Sequence, residues 1–298
     1  MSVPAAYFAV VLIWSTTPLA IKWSGEGPGF LFGALGRMSL AVVLCVALII
    51  ILRKGLPLHR QARHTYASGG IAAYGSMLCV YWAAQQLPSG VINVLFGLTP
   101  LLTAILAIPL LGERGLTPAK LAGMATSLAG LVTIFGASME LGPSAVVGIA
   151  ALFVAVALHA LSLVLVKRYG AELPSLTVTS GALLIAVPLF AVTWLIFDGH
   201  APVVLPARAA ASIVYLGVIG SVVGFTLYFY LIKHVSANNV ALITLVTPVA
   251  ALFVGAAVND EHVGLPVWLG TALVLTGLAL HQWGGQLARL IPVFARGR

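Results

Sequence analysis

Apolar residues run on along most of this chain instead of alternating with polar ones. No Asp, Glu, Lys or Arg occurs in 64–112, 141–166, 173–197, 209–232, 234–259 or 262–288. The first stretch is long enough for two membrane spans, and the turn Gln85-Gln86-Leu87-Pro88-Ser89-Gly90 divides it. The pattern predicts ten helices, at 4–22, 29–52, 65–86, 90–111, 118–137, 144–167, 174–197, 209–232, 236–258 and 265–285. A bilayer core of about 30 Å takes about 20 helical residues, and most of these helices reach that length.

The polar punctuation repeats. Thr99-Pro100, Glu113, Pro118 and Leu121 return as Thr247-Pro248, Glu261, Pro266 and Leu269, each 148 residues later. Ala5, Ala6, Phe8 and Lys22 return as Ala150, Ala151, Phe153 and Lys167, each 145 later. A segment repeated inside the chain is expected to be a structural element, so the apolar N-terminus reads as a helix and not a cleaved leader. Five helices per copy is an odd number, so the halves 1–142 and 143–298 are expected to lie in the membrane in opposite orientations. The expected fold is an all-α polytopic membrane protein of ten transmembrane helices in two inverted five-helix repeats.

Composition agrees. Of 298 residues, 61% are hydrophobic and 7% charged, against about 25% charged in soluble domains. The net charge of +8 does not point to nucleic acid, because the basic residues sit in short loops beside apolar spans. Loops on the N-terminal side hold Arg53, Lys54, Arg60, Arg63, Arg114, Lys120, Lys167, Arg168, Lys233, Arg289, Arg296 and Arg298, against Lys22 and Arg208 on the other. That bias predicts that both termini are cytoplasmic. The basic loop 53–64 suits contact with anionic lipid. Cys45 and Cys79 lie in apolar runs without metal spacing, and no phosphate-binding loop is present, so no metal or cofactor is expected. Nothing in the pattern sets an oligomeric state.

Several residues together carry a family resemblance. They are Trp14-Ser15-Thr16-Thr17-Pro18 before Lys22, Arg37 in a small-residue run, Thr99-Pro100 before Gly112-Glu113-Arg114, and Gly123 and Gly130 in a glycine-rich fifth helix. With the duplication, the chain resembles the EamA family of the drug/metabolite transporter superfamily. Within it, the chain is similar to the YddG-type bacterial amino-acid exporters. The resemblance implies a ten-helix basket around a central cavity that opens to one side at a time.

A transporter needs polar groups at membrane depth and helix irregularities that permit motion. Thr99-Pro100 and Thr247-Pro248 break hydrogen bonds near the middles of helices four and nine, and are expected to be hinges, or else static kinks. Tyr74, Met77 and Tyr81 follow i, i+3, i+7 spacing and are expected to share one face of helix three as an aromatic lining. Trp14 and Ser15 fall mid-helix, and His159 stands 145 residues after Trp14. Arg37 is the clear charge inside a span, suited to a substrate carboxylate or to backbone carbonyls. Asn93, Asn238, Asn239 and Thr244 suit either the cavity or helix–helix hydrogen bonding. Glu113 and Glu261 fall at the surface, where loop bonding is the plainer role. Gly123, Gly130, Gly270 and Gly277 suit close helix packing.

These residues point to a small-molecule transporter, with amino acids as substrate and export as the direction. The alternative is efflux of drugs or other small metabolites, which ranks lower because drug cations want a buried carboxylate and the spans hold none. Coupling is expected to be absent or to run through His159. An enzyme is not expected, since no nucleophile–base or paired-histidine constellation accompanies His159.

Overall fold

The computed structural model describes residues 2–112, 117–139, 143–170, 172–235, 243–259 and 264–290. It is all α. The helices among these residues are α1 (Val3–Ser24), α2 (Phe30–Ile51), α3 (60–83), α4 (Ser89–Leu111), α5 (Pro118–Met139), α6 (Pro143–Tyr169), α7 (Ser175–Phe197), α8 (Ala207–His234), α9 (Ile243–Asn259) and α10 (Leu265–Leu290). Proline sets several starts. Pro118 and Pro143 open α5 and α6, while Pro88, Pro174 and Pro206 cap α4, α7 and α8. A fixed φ suits a helix start, where the missing N–H has no intrahelical partner to lose. Gly27 and Gly29 take left-handed φ of 93° and 84° to turn the chain between α1 and α2.

Among the described residues, six helices, α1, α2, α4, α6, α7 and α8, are long and apolar enough to cross a membrane. Large apolar side chains such as Phe8, Ile50, Ile51, Ile196 and Phe197 point outward, while Arg37, Asn93, Thr99 and His159 are buried. That inversion of the usual polarity is what a lipid solvent selects. The protein is a multi-pass, all-α membrane protein.

Two helices carry an irregularity that hydrophobic periodicity does not reveal. α3 has a π segment at Ile71–Ser76, and α8 has one at Leu216–Val223. Their starts are 145 residues apart, the spacing of the sequence repeat. A π turn shifts the phase of every side chain beyond it.

The packing has a matching order. α1 packs on α8 and α9, and α6 on α3 and α4; α2 packs on α8, and α7 on α3. Three further pairs are α2 with α7, α4 with α9, and α5 with α10. Exchanging the first five helices with the last five leaves these pairings unchanged. Small residues allow the contacts: Gly69 meets Ala182, and Gly217 meets Leu40. In the α5–α10 seam, backbone meets backbone. A Cβ on Gly123 would lie 2.5 Å from the Gly277 carbonyl oxygen, and one on Gly130 would lie 2.6 Å from that of Gly270. The rising number meets the falling one, so the two helices are antiparallel. At the far end of α1, Trp23 Nε1 donates to Asn259 Oδ1 of α9 (2.9 Å), and Arg208 pairs with Glu26.

Candidate functional site

A cavity with an open mouth is lined mainly by α1, α3, α4, α6 and α8, with single residues from the other helices. Trp14, Arg37, Met77, Asn93 and His159 line it, as do Thr99, Pro100 and Thr247. Pro248 is buried in α9 away from the described wall. Asn238, Asn239, Glu113, Glu261 and the side chain of Thr244 lie outside the described residues.

Two prolines shape the wall. Pro18 lacks the N–H that would bond the Trp14 carbonyl four residues back. Asn93 Nδ2 of α4 donates to that carbonyl at 2.9 Å. Pro100 frees the carbonyl of Phe96 in the same way, and Thr99 Oγ1 donates to it at 2.6 Å. α4 is interrupted here, running as Ser89–Phe96 and then Thr99–Leu111. Each freed acceptor is therefore satisfied inside the membrane, where an orphan would cost several kcal/mol, roughly.

The aromatic surface belongs to α1, α4, α6 and α8. His159 Nε2 and the Tyr228 hydroxyl are 3.0 Å apart. Trp14 lies against Tyr228 with ring centroids 4.9 Å apart, and edge-on to His159 at 6.0 Å. Phe96 meets His159 at 5.5 Å. His159 is 8% exposed, and its Nδ1 has no hydrogen-bond partner among the described residues. Trp14 and His159, equivalent by the 145-residue repeat, thus touch one another.

Helix three differs from the expectation of one aromatic face. Met77 faces the cavity, whereas Tyr74 turns to α7, with its hydroxyl 2.7 Å from Thr193 Oγ1 and its ring 5.0 Å from Phe190. The π segment Ile71–Ser76, which contains Tyr74 and ends just before Met77, breaks the 3.6-residue phase on which the i, i+3 spacing relied. Tyr81 is fully buried in the core away from the cavity. Ser15 also lies off the wall, its hydroxyl donating back to the Val11 carbonyl at 2.8 Å.

Arg37 is 1% exposed. Its Nε donates to Ser221 Oγ of α8 at 2.8 Å, and its guanidinium carbon lies 5.7 Å from the centre of the Phe225 ring. Its Nη1 is buried without a partner among the described residues. Lys120 of α5 borders the same cavity, and the described wall holds no carboxylate. Sequence reasoning passed over Ser221, Phe225, Tyr228 and Phe96. One signal was present: Gly75-Ser76 recurs as Gly220-Ser221 at the 145-residue spacing.

Comparison with known proteins fits this architecture. The model of the EamA-like transporter family matches twice, over residues 3–136 and 146–281. The chain belongs to that family, and is a membrane transporter of small molecules. It is 29% identical to a probable terminal-alkyne amino-acid exporter of Streptantibioticus cattleyicolor, with 94% of each chain covered. It is related to YddG-type exporters, being 32% identical to the aromatic amino acid exporter YddG of Ancylobacter novellus over 44% of this chain and 45% of that one. A solved crystal structure with 25% identity superposes with a TM-score of 0.69, over 97% of this chain and 99% of the other.

Proposed function

We propose that this protein exports amino acids, including those with aromatic or other apolar side chains, across the bacterial inner membrane. The observation that carries the reading is the cavity wall itself. Rings of Trp14, Phe96, His159 and Tyr228 stand in one cavity with the buried Arg37 guanidinium, and no described carboxylate accompanies them. An apolar ring fits the first set, and a carboxylate fits the second. The amino-acid exporters among the relatives support the same class.

The ten helices are, on this reading, two inverted repeats with both termini cytoplasmic. The double family match, the helix pairings that survive exchange of the halves and the antiparallel α5–α10 seam support it. Substrate binds between the repeats and is exposed to one side at a time, with Pro100 and Pro248 as the flexible points. It crosses without chemical change. Transport is a uniport or is coupled through His159; a flux unchanged by an imposed pH gradient would exclude the coupling.

The test is a flux panel. Purified protein in liposomes is given labelled amino acids, sugars, nucleosides and cationic dyes. Saturable movement of aromatic amino acids is expected. Movement of dyes or sugars with none of any amino acid would refute the reading and favour general efflux.

A further inference from the structure

Helix α8 puts four contacts on one line. Ser221 binds Arg37, Gly224 leaves room beside the Trp14 indole nitrogen, Phe225 underlies the Arg37 guanidinium, and Tyr228 meets His159. Ser221 stands in the π segment, and Gly224, Phe225 and Tyr228 in the α-helical part that follows, so the contacts themselves, and not an α-helical spacing, turn all four toward Arg37, Trp14 and His159. From Ser221 to Tyr228 this face extends about 10 Å, at about 1.5 Å per residue. At one end is a buried cation with a free donor, and at the other an aromatic cluster.

We propose that Arg37, held by Ser221 and Phe225, is a carboxylate subsite, and that this face of α8 sets the distance from that carboxylate to the substrate's apolar side chain. The proposal rests on the amino-acid reading above and deepens it. Arg37 Nη1 is the group that asks for a ligand. Nε is used by Ser221, and Nη2 lies against Gly220, where a Cβ would be 3.4 Å away. Nη1 has neither partner nor water access, and it belongs to a side chain on the cavity wall. A guanidinium in that state is completed by an anion that accepts from it.

The other half of the molecule supplies an independent contrast. By the 145-residue repeat, Ser76 is equivalent to Ser221, and Ala182 to Arg37. Ser76 lies at the end of the α3 π segment, and its hydroxyl is buried without a partner among the described residues. Both halves keep the π turn and the serine, but one half alone has the cation. If arginine were needed to hold a π turn in place, α3 would lack its support. The subsite is thus one-sided, and a substrate with a single carboxylate binds in one orientation.

The experiment uses the full-length protein in liposomes loaded with labelled phenylalanine, with unlabelled competitors. For the wild type, phenylalanine and N-acetylphenylalanine should compete, and phenylalanine amide and phenethylamine should compete roughly tenfold less well, the size of losing a hydrogen bond to a charged group. Glycine should compete poorly, since it does not reach the aromatic end. R37Q should lower apparent affinity for phenylalanine by roughly tenfold and abolish the preference for acid over amide. R37K should restore part of that preference. S221A keeps the cation but frees it, and should weaken affinity with the preference retained. Equal competition by acid and amide in the wild type overturns the subsite while leaving amino-acid transport standing. So does an R37Q protein that still prefers the acid. If R37Q does not yield folded protein, the wild-type preference and S221A decide the matter. A wild type that moves no amino acid overturns the functional reading, and the subsite with it.

Discussion

The α5–α10 seam and the cavity wall are built on the same internal duplication, and they have used it differently. In the seam, both helices carry the same pattern: Gly123 and Gly130, like Gly270 and Gly277, stand seven residues apart, and Gly123 meets Gly277 as Gly130 meets Gly270. Each glycine lies against the backbone of the opposite helix. In the cavity, two pairs of equivalent positions differ, although Thr99 and Thr247 are alike: Trp14 matches His159, and Arg37 matches Ala182. Close packing between two backbones tolerates only one side chain, hydrogen, so both copies keep it. A binding site for an asymmetric molecule gains from having two unlike ends. On the proposed function, the unlike pairs Trp14/His159 and Arg37/Ala182 are where recognition lies.

The most damaging way to challenge this contrast is at the seam. Gly277→Leu places side-chain atoms where the Gly123 carbonyl oxygen and the Ser127 amide stand 2.5 Å from a modest Cβ. It should cost at least about 3 kcal/mol of stability, through overpacking against backbone that cannot yield. Loss of monodisperse protein on detergent extraction is the readout; an unaltered melting temperature would break the contrast.

A double exchange, Trp14→His with His159→Trp, tests the other side. If the halves were interchangeable, the swapped pair would transport normally. We expect a well-folded protein whose amino-acid flux is lower by roughly tenfold, the penalty of a misplaced polar contact in a site. Thermal stability measured alongside flux separates the two effects.

Asn93→Ala sharpens the picture further. It removes the donor to the Trp14 carbonyl, and leaving that acceptor unsatisfied should cost about 1–3 kcal/mol. The prediction is a lowered melting temperature together with altered flux, because the same bond shapes the wall. The smallest effect is expected at a site outside both regions. Glu26→Gln weakens the exposed pair with Arg208, and such pairs contribute about 0–1 kcal/mol. Stability should barely move in a salt titration.

Much of the architecture was legible in the residue pattern, for physical reasons. Charges cannot sit cheaply in lipid, so charge-free stretches outline the helices. α2 was expected at 29–52 and runs Phe30–Ile51; α7 was expected at 174–197 and runs Ser175–Phe197. α10 was expected to end at 285 and runs to Leu290, and α3 departs from its expected start at 65. It begins at Arg60, within the basic loop, because His59 caps the helix by accepting from the Ala62 amide. The site was harder to read. Tyr74 and Met77 share a face in any ideal helix, and part company here because of a π turn that hydrophobicity does not encode. Ser221 is 184 residues from Arg37, and only the fold brings them together. Asn93 could be recognised as polar and buried, but its acceptor is a backbone carbonyl released by Pro18, which leaves no pattern of its own.

That bond between Asn93 and the Trp14 carbonyl has a mechanical consequence. It ties α1, at the carbonyl that Pro18 leaves free, to the segment of α4 just before its break at Gly97 and Leu98. Opening the angle at Pro18 pulls on the Asn93 side chain, and swinging the upper part of α4 pulls on the Trp14 peptide. The two joints form a linkage with a detachable pin: while the bond is made, one helix cannot bend alone, and when it breaks a buried acceptor is left bare.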